Sequence, residues 1–262
     1  HPMRPAIIWA DQRTSQEVAE LNDRLGQAKL AAWTGNPLAT GFMLPSWLWL
    51  RQNEPDVHAA TRWLLLPKDY VRFWLTGEIG TEPSDAASTS LLDPHTRLWS
   101  ASLLDALGIR PEVLPPIDSS SAVAGCLSVN VADEIGLPAG VPVVYGASDQ
   151  AAQALGNGVV TPGVLSSTIG TGGQLLAPTD RPVVDRELRM HCFCHALDGL
   201  WHAETAMLCA GLSLRWLRDQ VLNGQDYQVL VDAAVDVPAG AEGLMFLPYL
   251  AGERTPHMDS RA

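Results

Sequence analysis

The sequence predicts an α/β protein that is built from two domains. Its 262 residues are enough for two domains of ordinary size. Short apolar runs with strand character alternate with segments of helical period, which is the pattern of α/β folds. After Gly156-Asn-Gly158 this alternation gives way to consecutive strands. We therefore place a domain boundary near residue 158.

The first segments are interpreted as a strand, a capping box and a helix. Ala6–Ala10 is short and apolar, which predicts a buried strand. Thr14 and Glu17 have the Thr-x-x-Glu spacing in which two side chains satisfy amides of the first helical turn. The helix that follows has an apolar face over residues 18–25 and is expected to end near Gly26.

Periodicity and turn residues predict the remaining elements. The predicted helices are Met43–Leu50, Asp69–Leu75, Gln150–Leu155 and Leu208–Leu222. The predicted strands are Val141–Tyr145, which is expected to be buried, Val164–Ile169, Gln174–Ala177 and Cys192–Leu197, and Arg110–Pro116 is a predicted loop.

Composition and charge limit the classes of function. Hydrophobic residues make up 47% of the chain and charged residues 18%, as expected of a globular protein. The net charge of −12 argues against nucleic acid or an anionic membrane surface as a partner. No apolar run reaches the length of about 20 residues that a membrane span needs. With four cysteines and no secretory pattern at the N-terminus, a reducing cytoplasm is the expected location.

Asp149 follows a predicted strand and begins a predicted helix. Ligands of open α/β sheets bind at the carboxyl ends of strands, which favours a catalytic role for this carboxylate. Asp is also a common helix cap, and position alone favours the cap by roughly 2:1. The small residues that flank Asp149, among them Gly146 and Ala147, would let a ligand approach the backbone closely.

Three further motifs allow more than one interpretation. Gly170-Thr-Gly-Gly173 is either an ordinary hairpin turn or a turn whose amides and Thr171 hydroxyl bind a phosphate. His191-Cys-Phe-Cys-His195 has the residue types of a metal site, but a strand would place the His and Cys side chains on opposite faces, so packing is the better interpretation. Glu253 and Arg254 form either a structural ion pair or a loop over a nucleotide, and nothing local decides between them.

Several segments together resemble the xylulokinases of the FGGY carbohydrate kinase family, in family order over essentially the whole chain. The matching segments are Arg4–Arg13, Thr34–Asn36, Leu65–Tyr70, Leu75–Glu78, Ser84–Ala87, Gly146–Ala152, Ile169–Gly172, Cys194–Leu197 and Leu247–His257.

The resemblance implies a partial two-domain actin-like ATPase (ribonuclease H-like) fold, with a sugar-side domain over residues 1–158 and the first part of an ATP-binding domain over residues 159–262. It implies that Asp149 is the catalytic base and also contacts the sugar, and that Gln150 binds a sugar hydroxyl. It also implies that Gly170, Thr171 and Gly172 contact the transferring phosphate of ATP. The implied cofactors are ATP and Mg²⁺, with Mg²⁺ held through ATP rather than by the chain. The Ser84-Asp85 pair and the Trp9, Asp11 and Arg13 motif are assigned only to shaping the sugar-side domain.

Two departures from the family pattern qualify these implications. Ser46 stands where family members usually have a lysine. The chain also lacks the family's Asp-x-Gly-Thr phosphate loop, its Met-His pair and its adenosine-binding region, so a fragment is expected.

The expected activity is phosphorylation of D-xylulose, and a homodimer is a further expectation. The alternatives are a kinase of ribulose, glycerol or gluconate, and an inactive fragment that serves as a binding or structural module.

Overall fold

The computed structural model describes residues 1–259 and residue 262, and it divides into two compact units. Unit 1 comprises His1–Leu165 and Ala177–Glu204, and unit 2 comprises Ser166–Leu176 and Thr205–Ala262. The helices are α1 Ser15–Thr34, α2 Met43–Asn53, α3 Pro55–Ala60, α4 Pro67–Thr76, α5 Pro83–Ala87, α6 Ala101–Leu107, α7 Val129–Ile135, α8 Asp149–Gly156, α9 Gly211–Trp216 and α10 Tyr227–Ala234. The strands are β1 Leu92–Asp93, β2 Leu98–Trp99, β3 Val123–Cys126, β4 Pro142–Val144, β5 Ser166–Ile169, β6 Gly173–Thr179, β7 His191–Cys194 and β8 Trp201–Met207.

The main core of unit 1 is formed by apolar faces of α1, α2 and α6. In α6, Leu103, Leu104 and Leu107 recur at helical spacing and are almost completely buried. Leu44 and Trp47 of α2 pack in the same cluster. Each buried leucine contributes about 1.5–3 kcal/mol relative to an exposed one, so this cluster anchors the first half of the chain.

The beginning of α1 differs from its prediction. Thr14 precedes the helix with φ −93° and ψ 19°, and its side chain makes no capping hydrogen bond. A capping side chain normally requires an extended backbone at the cap residue, which this conformation lacks. The predicted capping box of Thr14 and Glu17 is therefore wrong. Gly26 has the non-helical φ 72° and ψ 157°, so the helical path is interrupted where an end was predicted and then resumes.

The strand predicted at Ala6–Ala10 is not formed. The segment has no regular secondary structure, and the exposed fractions of Ile8 and Trp9 are 60% and 71%. A strand is stable only when a neighbouring strand pairs with its amides and carbonyls, and none of the described strands pairs with this segment. Apolar composition alone does not supply that neighbour.

The strands form two antiparallel pairs, β1–β2 and β3–β4, and a four-stranded sheet in the order β5-β6-β8-β7. The predicted strand near residues 141–145 is confirmed as β4, but Val141 and Val144 are more than 40% exposed. The prediction that this strand is buried is therefore wrong. Its sheet has only two strands, and such a ribbon cannot bury both of its faces.

The second half of the chain contains its predicted elements in order, together with β8 and α10, which were not predicted. β5 pairs antiparallel with β6 in a register that joins Ile169 to Gly173, which confirms the glycine-rich hairpin. β7 pairs with β8, and all four residues of β7 are buried. The predicted helix near residues 208–222 forms as α9, which ends at Trp216. A π-helical turn over Leu217–Val221 continues it. Among the described residues, none of the helices combines the length and the apolar character that a membrane crossing requires.

Candidate active site

Asp149 is the first residue of α8, directly after the turn that follows β4. The capping residue is Ser148, whose side chain accepts a hydrogen bond from the Ala151 amide at 3.4 Å. Asp149 is exposed, and its Oδ1 accepts a hydrogen bond from the Gln150 amide at 2.8 Å. The interpretation of Asp149 as the helix cap is therefore wrong, and its carboxylate is accessible to a ligand. Gln150 is partly buried as the second residue of α8.

Gly146 redirects the chain between β4 and α8. Its φ of +84° lies in the left-handed region, which residues with a side chain rarely adopt. Its amide donates to the Ser120 carbonyl oxygen at 3.0 Å, so the turn is tied to the loop that precedes β3. Because residue 146 is a glycine, the chain can turn here towards Asp149, and no side chain at this position occupies the space beside the turn.

A group of charged side chains lies next to this turn in unit 1, with two buried members, Asp69 and Glu82, and two partly exposed members, Lys68 and Asp85. It consists of Lys68, Asp69, Glu82 and Asp85 and is called the Lys68 cluster below. The Lys68 Nζ is 2.8 Å from Asp69 Oδ1, 3.5 Å from Glu82 Oε1 and 3.7 Å from Asp85 Oδ2. It also donates to the Tyr145 carbonyl oxygen at 3.3 Å, at the end of β4. Three carboxylates thus surround one ammonium group.

The Lys68 cluster was not predicted from the sequence. Lys68, Asp69 and Asp85 lie in segments that resemble the family, but Ser84-Asp85 was predicted only to shape the sugar-side domain, and Glu82 lies in none of these segments. The one available signal was the presence of Lys68, Asp69 and Glu82 between apolar segments, because buried charges need partners.

The pKa of Asp85 is raised to about 7, and burial of its carboxyl group is the main cause. Lys68 opposes this rise in pKa, whereas Asp69, Glu82 and Asp149 add to it. The ammonium group at 3.7 Å therefore compensates only part of the desolvation.

This pKa predicts how stability depends on pH. In the unfolded chain Asp85 has a pKa of about 3.9, so between about pH 4 and pH 7 the folded state binds the extra proton. The free energy of unfolding should fall as pH rises through this window, by up to about 1.4 kcal/mol per pH unit. Asp85→Asn should remove this part of the slope in urea unfolding at pH 5, 6, 7 and 8. Asp23→Asn, at an exposed position of α1, is the matched control and should keep it. Identical slopes for the wild type and Asp85→Asn would contradict the assignment.

The glycine turn of unit 2 is held by the start of α9. The carbonyl oxygen of Thr171 accepts hydrogen bonds from the amides of Ala210 and Leu212 at 2.9 and 3.0 Å. The carbonyl oxygen of Gly170 accepts one from the Gly211 amide at 2.9 Å. Because the N–H and C=O groups of a peptide point in opposite directions, the amides of Thr171 and Gly172 point away from α9. Gly170 and Thr171 are exposed, and Gly172 is partly buried.

Two glycines allow the glycine turn to pack this closely against the end of β8 and the start of α9. A Cβ atom on Gly172 would lie 2.6 Å from the Met207 carbonyl oxygen, and one on Gly211 would lie 2.5 Å from the Gly170 carbonyl oxygen. Both distances are far below van der Waals contact with backbone atoms that cannot rotate away. The turn therefore depends on glycine for its packing against the backbone.

Glu253 has a structural position in unit 2. Its side chain is 3% exposed, and Oε1 accepts hydrogen bonds from the amides of Leu208 and Arg254 at 2.9 and 2.7 Å. Thr255 adds a further contact, because its hydroxyl oxygen accepts from the Ala206 amide at 3.2 Å. These bonds join the chain around residue 253 to the end of β8. Glu253 and Thr255 also line an open cavity of about 400 Å³ within unit 2.

The His191–His195 segment is packed in unit 1. His191 Nδ1 lies 3.3 Å from Asn36 Oδ1, and the Asn36 side-chain amide donates to the Cys192 carbonyl oxygen at 3.0 Å. Burial raises the pKa of Cys192 to about 11 and that of Cys194 to about 12, so both thiols stay protonated at neutral pH. Over the described part of the chain, there is no group of three or more His, Cys, Asp or Glu side chains that could hold a metal ion.

The Trp9, Asp11 and Arg13 motif lies at the surface of unit 1. The Arg13 guanidinium pairs with Asp11 at 2.8 Å and lies 4.9 Å from the ring centre of Trp49 in α2. Trp9 itself is exposed. The role of this motif in shaping the domain stays a prediction.

Comparison with known proteins identifies the family and the fold. Residues 1–156 match the N-terminal domain of the FGGY family of carbohydrate kinases, and residues 165–262 match its C-terminal domain. The chain is 40% identical over 260 residues to the xylulose kinase of Lactococcus lactis and 38% identical over 260 residues to that of Escherichia coli K12. These alignments cover 99% of this chain and 52% and 53% of the two relatives, so the chain spans about half their length.

The crystal structure of a "xyloylose kinase" from Brucella ovis matches this structure with a TM-score of 0.90 at 40% identity. The match covers 99% of this chain and 53% of the other. The predicted fold, a partial two-domain actin-like ATPase fold of the ribonuclease H-like type, is therefore confirmed.

Proposed function

The chain belongs to the FGGY family of carbohydrate kinases, and from this premise we propose that the protein phosphorylates D-xylulose with ATP to give D-xylulose 5-phosphate and ADP. The observation that carries the proposal is 40% identity to a xylulose kinase over 260 residues, a span that includes every site residue assigned here. The identity supports the class of substrate, and the exposed carboxylate of Asp149 supports the type of reaction.

In the proposed reaction Asp149 is the general base. Its carboxylate orients the acceptor hydroxyl of the sugar and accepts the proton from it as that oxygen attacks the γ-phosphorus of ATP. The new P–O bond forms as the bond between the γ-phosphorus and the β,γ-bridging oxygen breaks, and ADP leaves. A positioned general base contributes about 10²–10⁴-fold to such a step. The exposure of Asp149 at the beginning of α8 supports this role, since a buried or capping carboxylate could not meet a sugar.

Gln150 is proposed to bind a second sugar hydroxyl. Its side-chain amide can both donate and accept a hydrogen bond, which suits an acceptor with several hydroxyl groups. As the neighbour of Asp149 in the first turn of α8, it would bind the sugar next to the group that accepts the proton.

Gly170, Thr171 and Gly172 are proposed to hold the transferring phosphate. The amides of Thr171 and Gly172 point away from α9, and exposed consecutive amides are a common anion site. The hydroxyl of the exposed Thr171 would donate a further hydrogen bond. Mg²⁺ bound through ATP would neutralise the charge of the phosphates.

A cytoplasmic location and a domain boundary near residue 158 are proposed as well. All four cysteines lie in the described residues and are free thiols, which supports a cytoplasmic location. The proposed domain boundary near residue 158 is supported by the two family matches, which end at residue 156 and begin at residue 165. The homodimer stays a prediction.

The test is ADP release by the full-length gene product with ATP, Mg²⁺ and a panel of acceptors. D-Xylulose should give the highest kcat/KM, and ribulose, glycerol and gluconate should each give values at least about tenfold lower, because a mismatched hydroxyl leaves polar groups of the pocket unpaired. A reaction without sugar measures the background of ATP hydrolysis. A preference for gluconate or glycerol would overturn the substrate assignment. ADP release that no sugar stimulates would overturn the kinase proposal.

A further inference from the structure

Glu82 is a completely buried carboxylate that precedes the short helix α5. Its Oε2 accepts hydrogen bonds from the Ser84 amide at 2.8 Å and from the Ser120 hydroxyl at 2.6 Å. Its Oε1 accepts from the Asp85 amide and from the Ser84 hydroxyl, both at 2.9 Å. Lys68 Nζ lies 3.5 Å from Oε1 and offsets part of the negative charge. Glu82 therefore makes more contacts than the capping of a five-residue helix needs.

Two of these contacts extend to the turn that carries Asp149. The Ser84 hydroxyl, which donates to Glu82, accepts a hydrogen bond from the Ser148 amide at 2.9 Å. Ser120, which also donates to Glu82, accepts the Gly146 amide at its carbonyl oxygen at 3.0 Å. Ser148 and Gly146, which lie one and three residues before Asp149, are thus each tied to the same buried carboxylate.

From this geometry we propose that Glu82 is a positioning residue, which fixes the place of Asp149 through Ser84 and Ser120. The proposal rests on the proposed role of Asp149 as the general base. Glu82 is buried and need not contact the sugar or ATP for this role. Its effect on the reaction would be transmitted through the backbone at residues 146–148.

The chemistry of the contacts explains why a carboxylate is required. Each Glu82 oxygen faces a backbone N–H, that of Ser84 or that of Asp85, and these donors cannot rotate away. A glutamine would place its NH₂ group against one of them, and an unsatisfied buried donor is costly. Aspartate keeps the charge and both acceptors on a side chain that is one methylene shorter. Glu82→Asp should therefore restore part of what Glu82→Gln loses.

The expected effect on catalysis is specific. A displacement of about 1 Å at a reacting group can lower the rate by about 10²-fold. Glu82→Gln in the full-length gene product should lower kcat by about 10- to 100-fold and leave the KM for ATP within about threefold. Glu78→Gln is the matched control, since it makes the same chemical change at an exposed position four residues earlier. It should keep wild-type kinetics.

A double mutant separates positioning from general destabilisation. If Glu82 acts through Asp149, Glu82→Gln should lower kcat by less than about threefold when Asp149 is already Asn, because residues that act as a unit are not additive. A full further loss of 10- to 100-fold in that background would overturn the proposal. Wild-type kcat for the single variant Glu82→Gln would overturn it as well.

Amide hydrogen exchange tests the same inference without sugar or ATP. In Glu82→Gln, and in Ser84→Ala, exchange should accelerate at least about tenfold over residues 146–150, while the α6 core around Leu103 keeps its protection. Uniform acceleration over unit 1 would mean a merely structural role and would overturn the proposal. If no sugar is phosphorylated by the wild type, the proposed function fails, and this exchange pattern still decides whether Glu82 holds the turn.

Discussion

Asp149→Asn should lower the kcat of the full-length gene product for D-xylulose by about 10²–10⁴-fold. The amide keeps the size and most hydrogen bonds of the carboxylate but cannot accept the proton of the sugar hydroxyl. Because Asp149 is exposed at the beginning of α8 and Ser148 is the cap, the fold should tolerate the change. The KM for ATP and the melting temperature should therefore stay close to the wild-type values. Steady-state ADP release at saturating ATP measures the effect.

The control for this variant is Asp118→Asn, at an exposed position in the same unit. It should retain wild-type kcat, since its carboxylate is not assigned to the site. A near-normal kcat for Asp149→Asn would show that this carboxylate is not the base. A loss of activity with a large fall in melting temperature would instead indicate a structural role.

Gly172→Ala should damage the proposed phosphate-binding turn. The new Cβ atom would meet the Met207 carbonyl oxygen at 2.6 Å, so the turn must move away from β8. Overpacking of this kind costs about 1–3 kcal/mol of stability. The amides of Thr171 and Gly172 would move with the turn, and kcat/KM for ATP should fall by about 10²-fold. The KM for D-xylulose, measured at the highest attainable ATP concentration, should change much less.

Gly156→Ala is the matched control for Gly172→Ala. A Cβ atom on Gly156, at the end of α8, would meet nothing within 4 Å. Because alanine favours helix relative to glycine, the control should be as stable as the wild type or slightly more stable. It should keep the wild-type kcat/KM for ATP. If Gly172→Ala behaved like this control, the turn would not be a close-packed phosphate site.

Elements with a strong local signal could be predicted from the sequence. Helical spacing of apolar residues predicted α2 and α4, and the glycine-rich turn between two β-rich segments predicted the β5–β6 hairpin. The strand end and helix start around Asp149 were also predicted, because both signals lie within ten residues. The alternation of strand-like and helical segments predicted the α/β class, whereas the actin-like ATPase fold was implied by the order of the motifs.

Features that depend on a distant partner could not be predicted in this way. The segment Ala6–Ala10 has the composition of a strand, but pairing decides whether a strand forms, and composition does not report pairing. The side chain of Thr14 is buried without a capping bond, although its spacing to Glu17 fits a capping box. In both cases the local signal was present and the surrounding structure determined the outcome.

The contacts that join Glu82 to the Asp149 turn show the same limit. Ser120 contacts Glu82 from 38 residues away, and Ser148 contacts Ser84 from 64 residues away. No periodicity or spacing in the sequence brings these residues together. Sequence reasoning therefore identified the exposed carboxylate that would do the chemistry but not the buried carboxylate that would hold it in place.

A ³¹P NMR time course of the full-length gene product with ATP, Mg²⁺ and D-xylulose follows the proposed phosphoryl transfer directly. We expect the γ-phosphate resonance of ATP to disappear as a sugar phosphate monoester and ADP appear in equal amounts, and we expect this conversion to be at least about 10²-fold slower with Asp149→Asn. Release of inorganic phosphate without a sugar ester, or equal rates of ester formation in the two proteins, would contradict the proposal.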